Sequence, residues 1–452
     1  MKHNLIIFKE HQKSSDNNFD YKELLNKYTE TIYNDCDVND ANRYLGLSCC
    51  NHKQKTFQAN YYIGLDWIVE KETAIMVEPK IERLDYLRMF MECFDCDNTE
   101  AKKKLKDIYH IDFNRESIEV KNNTFELTPL LIVHFLKLMQ SLVKRNLKKD
   151  YIQVEENLNS KIKGKILFSR NLKQNTFKGR DDRYYCRCQD YTVDCIENRI
   201  LKRTLMYVRK YLTYNTAISC KAIDLTNLCN SCLSAFEYVS DDLSIQQIKQ
   251  FKVNPLYKDY AESLKVAKLI LRRFSYSIDN ATSEIDSNLP PFWIDMPLLF
   301  EVYVLTLMQT RRNKIEYQFK SKYGNVDYLR IKSPLIIDAK YKPVYSDRLI
   351  KKENEVEEEI DIKFEETEKV KGRFKIEDVR QLSGYARDIG ILKKCEINKK
   401  DYHKTVIPCL IIYPLDDTQE KTTISNVRIN QFSQFYKLGI KLPKRSQVEC
   451  ML

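Results

Sequence analysis

A short apolar segment that ends in alternating charges constrains the fold of this chain most strongly. Pro334 is followed by Leu335-Ile-Ile and then by Asp338-Ala-Lys340. The apolar, β-prone run predicts a buried strand. Because side chains two residues apart on a strand leave the same face, Asp338 and Lys340 are expected to point to one side. A carboxylate and an ammonium side by side at the end of a buried strand are costly unless they share a ligand, so the pattern indicates a functional site.

A second aspartate lies one predicted strand earlier. Asp327 stands in Gly324-Asn-Val-Asp327-Tyr-Leu-Arg330. With Asp338 and the carbonyl oxygen of Ala339 it would form an all-oxygen site, which suits Mg²⁺. Mn²⁺ is expected to be able to substitute for Mg²⁺. Lys340 would orient or help to deprotonate a water beside the metal. This set of groups suits hydrolysis of a phosphodiester. The alternative is a surface Asp327 in a hairpin and a structural ion pair between Asp338 and Lys340.

Two predicted helices flank these strands. The first runs from Asp295 through Leu305 and places Glu301 among apolar residues, where it would hold a water at the metal or form a buried pair with some other basic residue. The second contains Gln381 and Tyr385, which are four residues apart and therefore share a face. These two residues would contact DNA or position the lysine, or they are the polar edge of an amphipathic helix. Lys342 is a further candidate for a supporting role.

The length and the alternation of segments predict the architecture. A chain of 452 residues suggests two or three domains. We expect an α+β multidomain protein with a mixed, β-rich N-terminal domain (1–125), a mainly helical middle region (126–285) and a C-terminal α/β domain (286–452). Finer predictions are a strand pair (61–69 and 73–81), helices (84–94, 127–139, 197–208, 222–236, 256–274 and 378–387), a buried strand (406–414) and, in the charged insert 351–369, a mobile loop.

The charge of the chain favours a polyanionic partner. The formal net charge is +11, and basic residues are concentrated between Lys144 and Arg180. One interpretation is a surface that follows the phosphates of DNA, with Lys163, Lys165 and Arg170 as candidate contacts. The equally weighted alternative is a solvated helix face and loop.

Other patterns exclude whole classes of function. Two Cys-x-x-Cys pairs, Cys93/Cys96 and Cys229/Cys232, each lack the nearby second half of a zinc site, so free thiols are expected. No apolar run reaches the roughly 18 residues that span a bilayer, and no signal peptide is recognisable, which predicts a cytoplasmic protein with no membrane partner. No phosphate-binding loop of the Gly-x-x-x-x-Gly-Lys-Ser/Thr type occurs, so the chain is not expected to bind nucleotides by that means.

The order of these motifs resembles a known nuclease family. The acidic helix, Asp327, Asp338-Ala-Lys340 and the Gln381/Tyr385 helix resemble the PD-(D/E)xK nuclease core. Further segments resemble McrC, the nuclease subunit of McrBC-type, 5-methylcytosine-specific restriction systems. These segments are Ile162-Lys-Gly164-Lys-Ile, Arg183-Tyr-Tyr-Cys-Arg-Cys-Gln-Asp-Tyr-Thr, Glu197-Asn198-Arg199-Ile-Leu, Ile294-Asp295-Met-Pro-Leu-Leu-Phe300-Glu301 and, more loosely, Ile63-Gly64 through Val77-Glu-Pro79-Lys80-Ile.

The resemblance implies a C-terminal restriction-endonuclease-like domain that cuts methylated DNA. It also implies a partner, an McrB-like AAA+ GTPase hexamer, whose ring the N-terminal domain would enter and whose hydrolysis it would stimulate. GTP would then act only through the partner. Two alternatives stay open: a stand-alone PD-(D/E)xK nuclease of repair or mobile elements, and a non-enzymatic adaptor that binds DNA and an AAA+ motor. Residues 1–60 match no part of the family pattern.

Overall fold

The structure is a computed structural model, and it describes most of the chain. The described residues are 3–16, 20–29, 32, 46–51, 56–94, 96, 98–112, 115–120, 127–214, 219–250, 258–273, 288–309, 315–321, 324–342, 359–362, 370–373, 375–415, 427–428 and 434–444.

The secondary structure mixes strands and helices throughout. The strands are β1 Asn4–Lys9, β2 Leu47–Asn51, β3 Thr56–Ala59, β4 Tyr62–Val69, β5 Thr73–Glu78, β6 Tyr109–Ile111, β7 Ile118–Glu119, β8 Asp150–Asn159, β9 Lys165–Ile166, β10 Arg183–Thr192, β11 Asn288–Leu289, β12 Phe292–Asp295, β13 Ile315–Ser321, β14 Gly324–Arg330, β15 Leu335–Ala339, β16 Glu359–Ile362, β17 Val370–Arg373, β18 Cys409–Pro414, β19 Val427–Arg428 and β20 Phe435–Ile440. The α-helices are α1 Lys22–Lys27, α2 Tyr86–Cys93, α3 Thr99–Lys104, α4 Leu127–Lys144, α5 Phe168–Gln174, α6 Ile196–Tyr214, α7 Ser219–Ala235, α8 Ile245–Gln250, α9 Lys258–Arg273, α10 Met296–Gln309, α11 Ile376–Tyr385 and α12 Ile389–Lys394.

The chain divides into two compact units. One consists of Met1–Val120 together with Asn288–Leu452, and the other of Lys121–Ser287. The first unit is discontinuous because β12 enters a sheet that is otherwise built from the first 120 residues. The mixture of sheets and helices confirms the predicted α+β class.

The first sheet of the discontinuous unit has the order β1-β5-β4-β12-β6. The predicted strand pair is confirmed, since β4 and β5 are antiparallel neighbours. Strand β12 lies antiparallel between β4 and β6, and it leads directly into α10. The predicted helix 84–94 is also confirmed as α2, whose first turn is capped by the Asp85 carboxylate. The carboxylate accepts a hydrogen bond from the backbone N–H of Arg88. This N–H lies in the first turn, where the helix itself offers no acceptor.

The second sheet has the order β13-β14-β15-β18-β20-β19. Strands β13, β14 and β15 are antiparallel, whereas β15, β18 and β20 run parallel. Apolar side chains from β14, β15 and β18 pack with α11 in one core, which includes Leu329, Ile336, Ile411, Val379 and Leu382. The predicted buried strand is β18, all six residues of which are buried. Strand β15 therefore lies inside the sheet and places its carboxyl end next to α11.

Part of the charged insert differs from the predicted loop. Residues 359–362 form β16, which pairs antiparallel with β17. The reason lies in the sequence, because Ile360 and Ile362 alternate with Glu359 and Asp361 at the period of a strand. The remainder of the insert, 351–358 and 363–369, lies outside the described residues.

The second unit combines helices with a long antiparallel ladder. Strands β8 and β10 pair over ten residues each, while α4, α6, α7 and α9 pack against one another and confirm the helices predicted there. The Glu197-Asn198-Arg199 segment is structural. Glu197 pairs with Lys148 at 2.6 Å, and the Asn198 amide donates to the backbone carbonyls of Lys148 and Val193. These contacts fix the start of α6 to the residues just before β8 and just after β10.

The four cysteines of the two Cys-x-x-Cys pairs lie in the described part of the chain. Cys93, Cys96, Cys229 and Cys232 are buried thiols that form no disulfide, and burial raises the pKa of the Cys232 thiol to about 11. Among the described residues no three His, Cys, Asp or Glu side chains are placed to hold one metal ion. Within the same part of the chain, no helix has the length and apolarity to cross a bilayer.

Candidate active site

Asp327 and Asp338 face each other across two neighbouring strands. The register that pairs Tyr328 with Ile337 puts Asp327 opposite Asp338. Asp338 is buried, with 6% of its side chain exposed, and Asp327 accepts a hydrogen bond from the backbone N–H of Ala339 at 3.0 Å. Like charges directly opposite on a sheet are destabilising. A cation between the two carboxylates, or a proton on one of them, would therefore stabilise the pair.

The electrostatics of the pair follow from this geometry. Burial, reinforced by the negative charges of Asp338 and Glu301, raises the pKa of Asp327 to about 8. The Oδ2 atom of Asp338 is buried and receives no hydrogen bond of good geometry, although the Lys340 ammonium lies 2.9 Å from it. This oxygen is thus ion-paired but poorly hydrogen-bonded, which leaves it able to accept a further ligand.

Lys340 follows β15 directly and returns its ammonium to the carboxylates. Burial disfavours the charged form, but the charges of Asp338, Asp378 and Asp327 outweigh burial and raise the pKa of Lys340. Its ammonium lies 3.9 Å from the carboxylate of Asp378. Lys340 is thus held as a cation, which suits a hydrogen-bond donor better than a base.

Asp378 is a participant that the sequence motif did not single out. It lies in the first turn of α11 and is buried. Besides approaching Lys340, it pairs with the ammonium of Lys342 at 3.2 Å. One carboxylate therefore lies near both lysines that follow β15. The sequence did contain a signal for this position of Asp378. Asp378 stands three residues before Gln381 and therefore shares a helical face with it.

Gln381 and Tyr385 lie on the same side of α11 as Asp378, as their spacing predicts. The Gln381 amide donates to the Tyr385 hydroxyl at 3.2 Å. Tyr385 belongs to the core between α11 and the sheet, and its hydroxyl lies 2.4 Å from the place where a Cβ at Gly324 would be. Gly324 is therefore required at the start of β14, and Tyr385 is a packing residue that fixes this strand and holds the Gln381 side chain.

Glu301 lies on α10, within electrostatic reach of Asp327. Its carboxylate accepts a hydrogen bond from the Gln318 amide at 2.6 Å and lies 3.4 Å from the ammonium of Lys104. Of the two roles expected for Glu301, the structure therefore contains the pair with a basic residue, which is Lys104. Gln318 stands opposite Asp327 on β13 by the register of its neighbours, and it has a φ of 54°. A non-glycine residue in this region is strained, and such strain is often found at functional sites.

The donor set fits a hard divalent cation. Asp327, Asp338 and the Ala339 carbonyl supply oxygen atoms, which Mg²⁺ prefers, and the buried Oδ2 of Asp338 lacks a good donor. Glu301 does not complete a three-carboxylate set among the described residues. A metal would consequently keep open positions for water and phosphate.

The basic candidates of the second unit are partly neutralised within the unit. Lys163 pairs with Asp190, and Arg170 pairs with Glu155. Lys165 is exposed. Exposed aromatic side chains also occur here, including Phe168 and Phe177 with 72% and 76% of their surface accessible. Surface pairs of this kind contribute little to stability and can be exchanged for other anions.

Asp327 and Asp338 thus face each other, Lys340 lies beside Asp338, and a third carboxylate, that of Asp378, lies near Lys340. The chain belongs to the family described as McrBC 5-methylcytosine restriction system component, whose model matches residues 57–393. This membership confirms the resemblance drawn from the sequence motifs.

Solved structures give a weaker likeness. A chain from Thermococcus gammatolerans McrB AAA+ hexamers with bound McrC is 13% identical, with a TM-score of 0.40, over 97% of this chain and 94% of that one. A chain of the Thermococcus gammatolerans McrBC complex is 13% identical, with a TM-score of 0.29, over 70% of this chain and 90% of that one. No curated protein matches the chain. The family membership therefore rests on the family model alone.

Proposed function

We propose that this chain is the Mg²⁺-dependent DNA endonuclease subunit of a modification-dependent restriction system. The observation that carries the proposal is the opposed pair Asp327 and Asp338 beside Lys340. Membership of the McrBC family supplies the biological setting. Strands β14 and β15 belong to the second sheet, and helices α10 and α11 flank them in the chain. This order supports the PD-(D/E)xK interpretation of residues 286–452.

The roles of the residues follow from their contacts. Asp327, Asp338 and the carbonyl of Ala339 would hold Mg²⁺, which supplies positive charge at the scissile phosphate when bound. The Lys340 ammonium, fixed by Asp378, donates a hydrogen bond that orients the attacking water. Glu301, kept in place by Gln318, would hold a water on the side of Asp327. The expected products carry a 5′-phosphate and a 3′-hydroxyl.

The partner is part of the proposal. We expect an McrB-like AAA+ GTPase hexamer to bind this chain, to bring methylated DNA to it and to be stimulated by it. The absence of a phosphate-binding loop motif from the sequence supports this division of work, because GTP would be used only by the partner. A Thermococcus gammatolerans structure is named for McrB AAA+ hexamers with bound McrC.

Cleavage of plasmid DNA tests the proposal. The purified chain would be mixed with an McrB-like AAA+ GTPase, with Mg²⁺, GTP or ATP, and methylated or unmethylated plasmid. We expect cutting only with partner, GTP and methylated DNA, and none with Asp338→Asn. Asp401→Asn is a matched control, since Asp401 is an exposed aspartate of the same unit.

The other outcomes separate the alternatives. Cutting by the chain alone would indicate a stand-alone nuclease. Stimulated GTP hydrolysis without cutting in any mixture would indicate an adaptor. Equal cutting by Asp338→Asn and the wild type would show that the site lies elsewhere.

A further inference from the structure

The Pro79-Lys80 segment, noted in the sequence but unused by the nuclease motif, lies beside the catalytic strand. Lys80 follows β5, and its backbone N–H donates to Oε2 of Glu10 at 3.0 Å. The hydroxyl of Tyr341 donates to the same oxygen at 3.2 Å. Because Tyr341 immediately follows Lys340, one buried carboxyl group of the N-terminal strand connects Lys80 with the end of the catalytic strand.

Aromatic contacts continue this connection. The ring of His11 packs on Tyr61 at 3.8 Å between centroids, and Tyr61 lies 6.2 Å from Tyr341. The Nδ1 atom of His11 is 2.7 Å from the Gln58 amide, whereas its Nε2 atom is buried without a hydrogen-bond partner. A polar atom without a partner in this position suggests a ligand that the protein alone does not provide.

The charges that meet at this place are positive. Burial, and then the charges of Lys80, Lys375, Lys342 and Lys13, lower the pKa of His11 to about 4. Lys80 and Lys375 are exposed, and neither forms an ion pair with another described residue.

The acidic groups nearby do not cancel these lysines. Asp378 is engaged by Lys342 at 3.2 Å, and burial raises the pKa of Glu10 to about 8, so that Glu10 is largely neutral at pH 7. Several cations with few counter-charges, at the edge of a buried site, attract an anion.

We propose that Lys80, together with Lys375, binds a backbone phosphate of the DNA next to the scissile one. This inference rests on the proposed nuclease function and adds the N-terminal sheet to its DNA-binding surface. The backbone N–H of Lys80 and the hydroxyl of Tyr341, the residue after Lys340, donate to the same Glu10 oxygen, which places Lys80 near Lys340. One DNA strand that passes Lys340 could therefore also contact Lys80.

Salt-dependent DNA binding tests the site. The full chain would bind a short fluorescein-labelled duplex in Ca²⁺, which replaces Mg²⁺ to prevent cutting, over a range of salt concentrations. Each phosphate contact contributes about 0.9 to the slope of log affinity against log salt. We expect Lys80→Gln to lower the slope by about 0.9, Lys375→Gln to lower it by up to the same amount, and Lys80→Arg to preserve it.

Lys71→Gln is the matched control. Lys71 is an exposed lysine two residues before β5, whereas Lys80 lies two residues after it, so the variants remove the same charge at opposite ends of one strand. Equal melting temperatures would show that both variants fold. An unchanged slope for Lys80→Gln, or an equal loss in Lys71→Gln, overturns the phosphate site. If the wild type still cuts plasmid DNA with its partner, the proposed function survives that result; a wild type that neither binds nor cuts DNA refutes both.

Discussion

The protonation of Asp327 offers the sharpest test of the candidate site. Its pKa is raised to about 8 by burial and by the charges of Asp338 and Glu301. Mg²⁺ requires the ionised carboxylate, so metal binding at neutral pH must release a proton. Each pH unit below about 8 then lowers the apparent affinity about tenfold, which is about 1.4 kcal/mol. Between about pH 8 and about pH 6, we expect the affinity for Mg²⁺ to fall about 100-fold.

Titration calorimetry measures this directly. Mg²⁺ is titrated into the full chain at several pH values and in two buffers that differ in heat of ionisation, which reveals the released proton. Asp327→Asn should bind no metal and release no proton, whereas Asp401→Asn should behave as the wild type does. An affinity that is the same at both ends of the pH range, or heats that do not depend on the buffer, would refute the protonated state of Asp327.

The same group predicts how stability depends on pH without metal. The folded state binds the proton of Asp327 more tightly than the unfolded chain does, because its pKa is raised on folding. Its contribution to stability is therefore complete below about pH 4 and is lost as the pH rises through about 8. Asp327→Asn should remove this loss, and urea unfolding in EDTA at both ends of the range measures it.

Further predictions concern individual side chains. Lys340→Met should abolish plasmid cutting while calorimetry still detects Mg²⁺ binding; loss of metal binding would contradict its role at the water. Asp378→Asn should reduce the cleavage rate about 10- to 100-fold, as loss of an outer partner commonly does, and an unchanged rate would exclude a positioning role. Ile411→Ala, in the core under α11, should cost about 2–5 kcal/mol in urea unfolding. Asn198→Ala removes the amide that donates to the backbone carbonyls of Lys148 and Val193 and should cost about 1–3 kcal/mol by the same assay. Smaller losses would contradict the core position of Ile411 and the hydrogen bonds of Asn198.

Strand β15, with the charged residues at its end, was the most predictable part of the molecule. An apolar run that ends in Asp338-Ala-Lys340 has one stable placement, in which the run is buried and the charges lie at its end. The structure has β15 there, with Lys340 just beyond it. The placement of Asp327 opposite Asp338 also follows from two short neighbouring strands. Local pattern was sufficient because these residues are close in sequence.

Contacts between distant segments could not be predicted in this way. Nothing in the residues near Glu10 indicates that its carboxyl group meets Tyr341, 331 residues later. Likewise, Phe292–Asp295 has the composition of any buried strand, and only the completed sheet places it between β4 and β6. Hydrophobic periodicity fixes which face of an element is buried, but it does not fix which element covers that face.

The position of β12 has a consequence for biosynthesis. Strand β6 leaves the ribosome roughly 180 residues, and β4 roughly 220 residues, before the strand that joins them. At about 5–20 residues per second, the first sheet lacks the strand between β4 and β6 for about 10–35 s after β6 is made. The helical unit encoded in between can fold during that interval. The nascent N-terminal segment would therefore expose unpaired strand edges, so chaperone binding is expected there before residue 292 emerges.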